Sequence, residues 1–200
     1  RNGYGQHNIQ GIGDKHIPLI HNVMNTDTVV AVSDRATDGL GVLFASDAGK
    51  AYLAGRGVSR EIVESLDHFG LSSICNIVAA IKAAKHFGYG PDDVITTVAT
   101  DGAALYRSER ERTTAARFAR GFGSGEAAAT YGEHILGEGT DNVLELTTQE
   151  RERIFNLGYY TWVEQQGVAL ADFDARRDQA FWVRVRARSA GWDELIDELN

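Results

Sequence analysis

Cysteine is almost absent from this sequence, since Cys75 is the one cysteine among 200 residues. A single cysteine cannot form an intramolecular disulfide, and it excludes metal sites built from several cysteines. Basic residues are outnumbered as well, with 20 Lys and Arg against 28 Asp and Glu and a formal net charge of −8. This balance argues against a surface for nucleic acid or for an anionic membrane, because either would need clustered positive charge.

Long apolar runs are also missing. No stretch of about 18 apolar residues occurs, and no basic, apolar and small-residue leader opens the chain. We therefore expect no membrane span and a reduced, cytoplasmic setting. The sequence starts at Arg1 and its single methionine is Met24, so we expect a processed chain or one part of a larger polypeptide. Apolar residues still make up 43% of the chain, enough for a buried core.

Two β-branched runs, Thr28–Val32 and Val94–Ala99, predict strands. Helices are predicted between them, at about 34–46 and 47–55, after Ser59, and most clearly over Ser72–Phe87, where apolar residues recur at helical spacing. Strands separated by helices favour a parallel sheet with crossover helices. The sequence therefore predicts an α/β fold for this part of the chain.

After residue 103 the pattern is helical throughout. The capping box Thr147-Thr148-Gln149-Glu150 predicts a helix that continues to about Gln165. Near the C-terminus Trp192, Leu195, Ile196 and Leu199 follow a one-face helical pattern. We therefore predict two parts, an α/β part over residues 1–107 and a helical extension over residues 108–200.

Three short segments have residues suited to ligand binding, and each also has a purely structural interpretation. The turn Gly11-Ile12-Gly13 would let a ligand approach backbone amides, or it is an ordinary glycine loop. Ser72-Ser73 either caps a helix or holds a hydroxyl beside a ligand. Asp101 follows a predicted strand, where ligand-facing residues lie in open α/β sheets, but Asp-Gly also favours a turn.

Metal binding and cysteine chemistry are not favoured by the spacing. The six histidines show no pair with a carboxylate at a known ligand spacing, so we predict no metal site. Cys75 falls one turn into an apolar helix and is interpreted as a small core residue. A nucleophilic role would need a histidine partner that the sequence cannot place.

Three motifs, in their order along the chain, resemble the C-terminal half of fold-type II pyridoxal-phosphate enzymes, the superfamily of cysteine synthase and the tryptophan synthase β chain. His7–Gly13 followed by Ile17-Pro18 resembles the QGIG…IP segment of cysteine synthases. Gly70-Leu71-Ser72-Ser73 resembles their GISSG block, and Val94–Gly102 resembles a strand and turn that read IVxxxPxSG. The resemblance covers about residues 7–107, and Ile74 departs from it where the family has glycine.

The resemblance implies that residues 1–107 belong to the part of the enzyme that binds pyridoxal 5′-phosphate. Within it, the first serine of the serine block, here Ser72, would hydrogen-bond the ring nitrogen of the cofactor. The other residues implied at the cofactor are Gly11, Ile12, Gly13, Thr100 and Asp101. Asp14, Lys15 and His16 follow the glycine turn and are candidates for substrate binding.

No catalytic residue is assigned to this chain. In the family the Schiff-base lysine and the phosphate loop lie upstream of the matched motifs. None of the four lysines, Lys15, Lys50, Lys82 and Lys85, lies in such a context. The resemblance thus implies an enzyme, a lyase or transferase acting by β-elimination or β-replacement on an amino acid, in which an N-terminal portion or subunit supplies those groups. The complete unit is expected to be a homodimer.

Two other interpretations stay open. The missing lysine is equally expected of a non-catalytic scaffold or regulatory module that kept the fold without the cofactor. A nucleotide-binding α/β domain that uses the glycine turn is the third interpretation, although the phosphate-binding fingerprint is incomplete.

Overall fold

Serine or threonine side chains cap the N-termini of four helices. In the computed structural model, which describes residues 7–9 and 16–199, Ser33, Ser46 and Ser59 each accept a hydrogen bond from the amide three residues ahead. Thr147 does the same with Glu150, whose carboxylate accepts in return from the Thr147 amide. Caps of this kind satisfy amide groups that the first helical turn leaves free.

Helices dominate the described residues, 66% of which are helical. The α-helices are α1 Asp34–Ala45, α2 Asp47–Gly55, α3 Arg60–Ser65, α4 Leu71–Phe87, α5 Arg107–Arg117, α6 Ser124–Tyr131, α7 Thr148–Tyr159, α8 Leu170–Ala175 and α9 Gln179–Leu199. Short 3₁₀ turns cover Val23–Asn25, Leu66–His68 and Ala103–Tyr106, and π-helical turns cover Gly132–Leu136 and Tyr160–Gln165. None of the described helices is long and apolar enough to cross a membrane.

The predicted α/β fold with a parallel sheet is wrong. The described residues form one two-stranded antiparallel sheet, β1 Thr28–Val30 with β2 Val143–Glu145. Its register is fixed by the hydrogen bonds from the Ala31 amide to the Asn142 carbonyl, 3.0 Å, and from the Leu146 amide to the Asp27 carbonyl, 2.7 Å. The error arose because local sequence indicates an extended chain but not the strand with which it pairs.

The second predicted strand, Val94–Ala99, is not a strand: these residues have no regular secondary structure. In the described part of the chain no strand lies beside it, so it forms no ladder. Its apolar side chains consequently remain in solvent: Val94 is 88% exposed and Val98 is 66% exposed. A β-branched sequence favours an extended backbone, but a strand needs backbone groups of a neighbour.

Contacts divide the chain into two units. The first comprises the described residues of Arg1–Gly13 and Val30–Val143, and the second those of Asp14–Val29 and Leu144–Asn200. The boundary that composition predicts, after residue 107, falls inside the first unit, since α5 and α6 belong to it.

Helices α1 and α4 pack together at the centre of the first unit. Leu40 and Leu43 of α1 are fully buried with Ile74 and Val78 of α4. Gly88 ends α4 in the left-handed conformation, φ 68°. The α1–α4 pair therefore provides a rigid support for the first turn of α4.

The second unit has a separate core. Val23, Phe155 and Phe173 are buried there, and the Arg176 guanidinium lies 4.5 Å from the centre of the Phe173 ring. Helix α9 continues from this unit to Leu199 and has no buried residue.

Candidate functional site

The first turn of α4 carries the predicted serines, but neither serine caps the helix. Gly70 is the N-cap residue, and its amide donates a 2.7 Å hydrogen bond to the Asp101 carbonyl. Ser72 and Ser73 therefore lie inside the helix, so the predicted capping role of these serines is wrong. Their hydroxyls are free of a capping role and reach a second segment of the chain.

That second segment is the irregular chain that ends in Thr100 and Asp101. The Ser72 and Thr100 hydroxyl oxygens are 2.7 Å apart, and Ser73 Oγ accepts a 3.1 Å hydrogen bond from the Thr100 amide. One turn along α4, the side-chain amide of Asn76 donates a 2.9 Å hydrogen bond to the Val98 carbonyl. The structure thus brings together Ser72, Thr100 and Asp101, three predicted site residues from two distant segments.

Tyr106 completes this cluster. Its phenol donates a 3.1 Å hydrogen bond to Asp101 Oδ2. Burial raises the pKa of Tyr106, the bond to Asp101 raises it further, and a hydrogen bond with Ser72 partly offsets both effects. The phenol therefore stays protonated at neutral pH, and it donates its hydrogen to the Asp101 carboxylate.

A close backbone approach at Gly70 holds the two segments together. A Cβ atom on this residue would lie 2.5 Å from the Asp101 carbonyl oxygen and 2.5 Å from Tyr106 Cε2. Both distances are far below van der Waals contact, so the approach requires a residue without a side chain.

The hydroxyl pair differs in its access to solvent. Ser72 is only 2% exposed, whereas Thr100 and Asp101 are exposed. The cavity beside Gly70 and Tyr106 has a volume of about 10 Å³, room for about one water molecule. A ring-sized ligand would therefore meet the outer side of this cluster, where Thr100 and Asp101 are accessible.

Comparisons with protein-family models, curated proteins and solved structures found no match. The functional interpretation consequently depends on the chemistry of the cluster and on the motif resemblance.

The remaining predicted site residues lie outside the described residues or in the second unit. Gly11, Ile12, Gly13, Asp14 and Lys15 lie outside the described residues. His16 belongs to the second unit, where its Nδ1 atom is 3.2 Å from Thr161 Oγ1.

The described residues before the glycine turn are anchored to the start of α1. The Asn8 amide donates to Asp34 Oδ2 over 3.1 Å, and its side chain donates to Asp38 Oδ2 over 2.8 Å. Asp34 also raises the pKa of Cys75, which lies one turn after Ser72 on α4. The start of α1 thus interacts both with the segment that leads to the glycine turn and with the serine helix.

Three lysines have contacts that suit a structural role. Lys82 Nζ, on a side chain only 4% exposed, is 3.3 Å from Glu138 Oε1. Lys85 donates to the Glu138 backbone carbonyl, and Lys50 is 2.9 Å from Asp67 Oδ2. Lys15 lies outside the described residues.

Cys75 and the histidines form no reactive cluster in the described residues. Burial, followed by the charge of Asp34, raises the pKa of the Cys75 thiol to about 11. At neutral pH the thiol is therefore protonated and a poor nucleophile. Within residues 7–9 and 16–199 no three His, Cys, Asp or Glu side chains are placed to hold a metal ion.

Sequence reasoning missed Gly70, Asn76 and Tyr106 as parts of the cluster. Asn76 follows Ser72 by four residues, so helical spacing alone places it on the same face. Nothing in the local pattern distinguishes Tyr106 from a surface tyrosine, because its role depends on the turn at Gly102.

Proposed function

We propose that this chain forms the wall of a pyridoxal 5′-phosphate site that faces the ring nitrogen, in an enzyme acting at the β-carbon of an amino acid. The observation that carries the proposal is the 2.7 Å contact between the Ser72 and Thr100 hydroxyls, which are 28 residues apart. Both residues were implied at the cofactor by the motif resemblance, independently of any structure.

The hydroxyl pair fits a pyridine-type nitrogen, because either oxygen of the pair can act as the donor. When Ser72 donates to Thr100, the Thr100 hydrogen remains available to an acceptor such as an unprotonated ring nitrogen. When Thr100 donates to Ser72, Thr100 instead offers its lone pairs to a protonated ring nitrogen. The pair can therefore adapt to the protonation state of the ring.

The role of the Ser72–Thr100 hydroxyl pair is to position the ring nitrogen of the cofactor and to limit the positive charge on it. When bound, pyridoxal phosphate supplies an electron sink for reactions at the substrate amino acid. A neutral hydroxyl partner does not stabilise a proton on the ring nitrogen as a carboxylate would. Asp101 is engaged by the Tyr106 phenol, and this bond holds the carboxylate in the turn.

An N-terminal portion of the same enzyme is the partner that the proposal requires, since it would contribute the Schiff-base lysine and the phosphate loop. The segment before Thr100 offers such a partner a place to pair. The Val98 carbonyl and the Thr100 amide bond to side chains of α4. Among the described residues the backbone groups of Thr97 and Ala99 make no backbone hydrogen bond, so a strand of the N-terminal portion can pair there.

The test is to purify the native protein under non-denaturing conditions from the cells that make it, and to identify bound molecules by mass spectrometry. We expect pyridoxal 5′-phosphate and a second polypeptide portion in the same complex. Borohydride reduction should fix the cofactor to a lysine outside this chain. Ser72→Ala and Thr100→Val should each shift the visible absorbance of the bound cofactor, whereas the control Ser65→Ala should leave it unchanged, because Ser65 bonds only its own helix at the Ile62 carbonyl.

Two outcomes would overturn the proposal. A native complex without pyridoxal phosphate would favour the non-catalytic scaffold or regulatory module. A reduced adduct on Lys50, Lys82 or Lys85 would mean that the cofactor binds elsewhere on this chain.

A further inference from the structure

Helix α9 presents an apolar stripe that the chain itself does not cover. Val185, Trp192, Leu195 and Leu199 are exposed, with Trp192 at 59% and Leu195 at 56%. Spacings of seven, three and four residues place these side chains on one face of the helix. From Val183 to Leu199 every residue is exposed, so the stripe is a free surface along most of α9.

The charges of α9 are divided between its two halves. The first half carries Arg184, Arg186 and Arg188, and the second half carries Asp193, Glu194, Asp197 and Glu198. Asp197 and Glu198 lie in the last turn of α9, where anions are unfavourable, so this end of the charge order opposes the helix dipole.

Charge spacing within the helix is unfavourable as well. Arg184 and Arg188 are four residues apart, and so are Asp193 and Asp197, and Glu194 and Glu198. Like charges at this spacing repel each other on a helix surface. Neither the dipole nor the spacing therefore explains the charge order as a device that stabilises α9 by itself.

We propose that α9 docks antiparallel against α9 of a second copy of this chain. In that orientation the basic half of each helix lies along the acidic half of the other, and the two apolar stripes cover each other. A parallel pair would place like charges side by side and is disfavoured. Self-complementary surfaces of this kind are expected of two-fold symmetric dimers.

One register brings the inner part of the stripe together. Placing Val185 opposite Leu195 of the second copy also places Arg188 opposite Trp192. Arg188 is the charged residue that interrupts the stripe, and stacking on an aromatic ring gives its guanidinium a favourable environment. The same register brings Arg184, which flanks the stripe, to nearly the same level as Glu198 of the second copy.

The first test measures the mass of the full chain by sedimentation at low and high salt. We expect a dimer, twice the 21.8 kDa of the chain, whose dissociation constant rises with salt because the flanking charges are screened. Leu195→Glu should weaken the dimer about a hundredfold or more, because the symmetric dimer loses two buried leucines, one from each chain. Val183→Glu is the matched control, because Val183 is exposed but lies about two and a half turns from Trp192, on the opposite face.

The second test fixes the orientation by disulfide formation in a Cys75→Ser background. Chains carrying Val185→Cys should cross-link readily to chains carrying Leu195→Cys, and either chain alone should cross-link poorly. Reversing the charge of the three arginines should abolish self-association, and mixing this variant with one in which the four acidic residues are changed to lysine should restore a dimer. Such rescue excludes simple misfolding of either variant.

A monomeric chain in the first test would overturn the proposal, as would equal effects of Leu195→Glu and Val183→Glu. Preferential cross-linking of Val185→Cys to itself would show a parallel pair and refute the antiparallel one. None of these outcomes bears on cofactor binding, so the two proposals fail independently.

Discussion

Replacing Gly70 with alanine tests the close approach on which the cluster at α4 depends. The backbone of Gly70, φ −78° and ψ −179°, is open to any residue, so alanine brings no backbone strain. Its Cβ would instead meet the Asp101 carbonyl oxygen and the Tyr106 ring, each at 2.5 Å. Ordinary contact distances require these neighbours to move by roughly 1 Å.

The size of the effect follows from that displacement. Moving the Asp101 carbonyl breaks its 2.7 Å hydrogen bond with the Gly70 amide, a loss of about 1 kcal/mol. Overpacking against a backbone atom adds about 1–3 kcal/mol. We therefore expect Gly70→Ala to lower the free energy of unfolding of the first unit by about 2–4 kcal/mol.

Urea unfolding followed by far-UV circular dichroism measures this change, with the slope of the transition serving as a check on cooperativity. Amide hydrogen exchange of peptides from residues 98–106 localises the change to the site. Gly125→Ala is the control, because a Cβ there meets open space within α6, and it should stabilise by up to about 1 kcal/mol. Gly70→Ala with stability within about 0.5 kcal/mol of the parent and unchanged exchange would refute the close approach.

Three further results are expected. Ser72→Ala and Thr100→Val should show a coupling of about 0.5–1.5 kcal/mol in a double-mutant cycle of unfolding free energies; additive effects would mean that the two hydroxyls do not bond. Cys75, with a pKa of about 11, should react with iodoacetamide at neutral pH about a hundredfold or more slowly than an ordinary thiol, and fast labelling would contradict its burial. Burial lowers the pKa of His134 in the folded chain, so the unfolded chain binds more protons and stability should fall as pH drops through about 6.5. His134→Gln should reduce that slope in urea unfolding at several pH values, and an unchanged slope would contradict the interpretation.

Four of the helix starts were predictable, because capping is a local interaction. Ser33, Ser46, Ser59 and Thr147 each carry the acceptor for an amide only three residues ahead, so a short sequence window contains the whole interaction. The predicted strand that begins at Thr28 is confirmed as far as Val30. This prediction also depended on local sequence, the β-branched run.

Pairings between distant residues were not predictable. The partner of β1 is a three-residue strand more than a hundred residues away, and Lys82 of α4 meets Glu138, which lies more than fifty residues later. The meeting of Ser72 with Thr100 was expected only through the motif resemblance, since no spacing rule relates a helix start to a turn 28 residues later.

The paired strands β1 and β2 have a consequence for how this protein can be rebuilt. The hydrogen bond from Ala31 to Asn142 puts the two ends of an inner stretch of more than a hundred residues one ladder step apart. A segment whose ends are neighbours can be moved between genes, or inserted into the surface loop of an unrelated host, without stretching the chain on either side. Excising the stretch from Ala31 to Asn142, joining its ends by a short linker and opening it elsewhere would give a circular permutant of that stretch in which α1 still packs on α4.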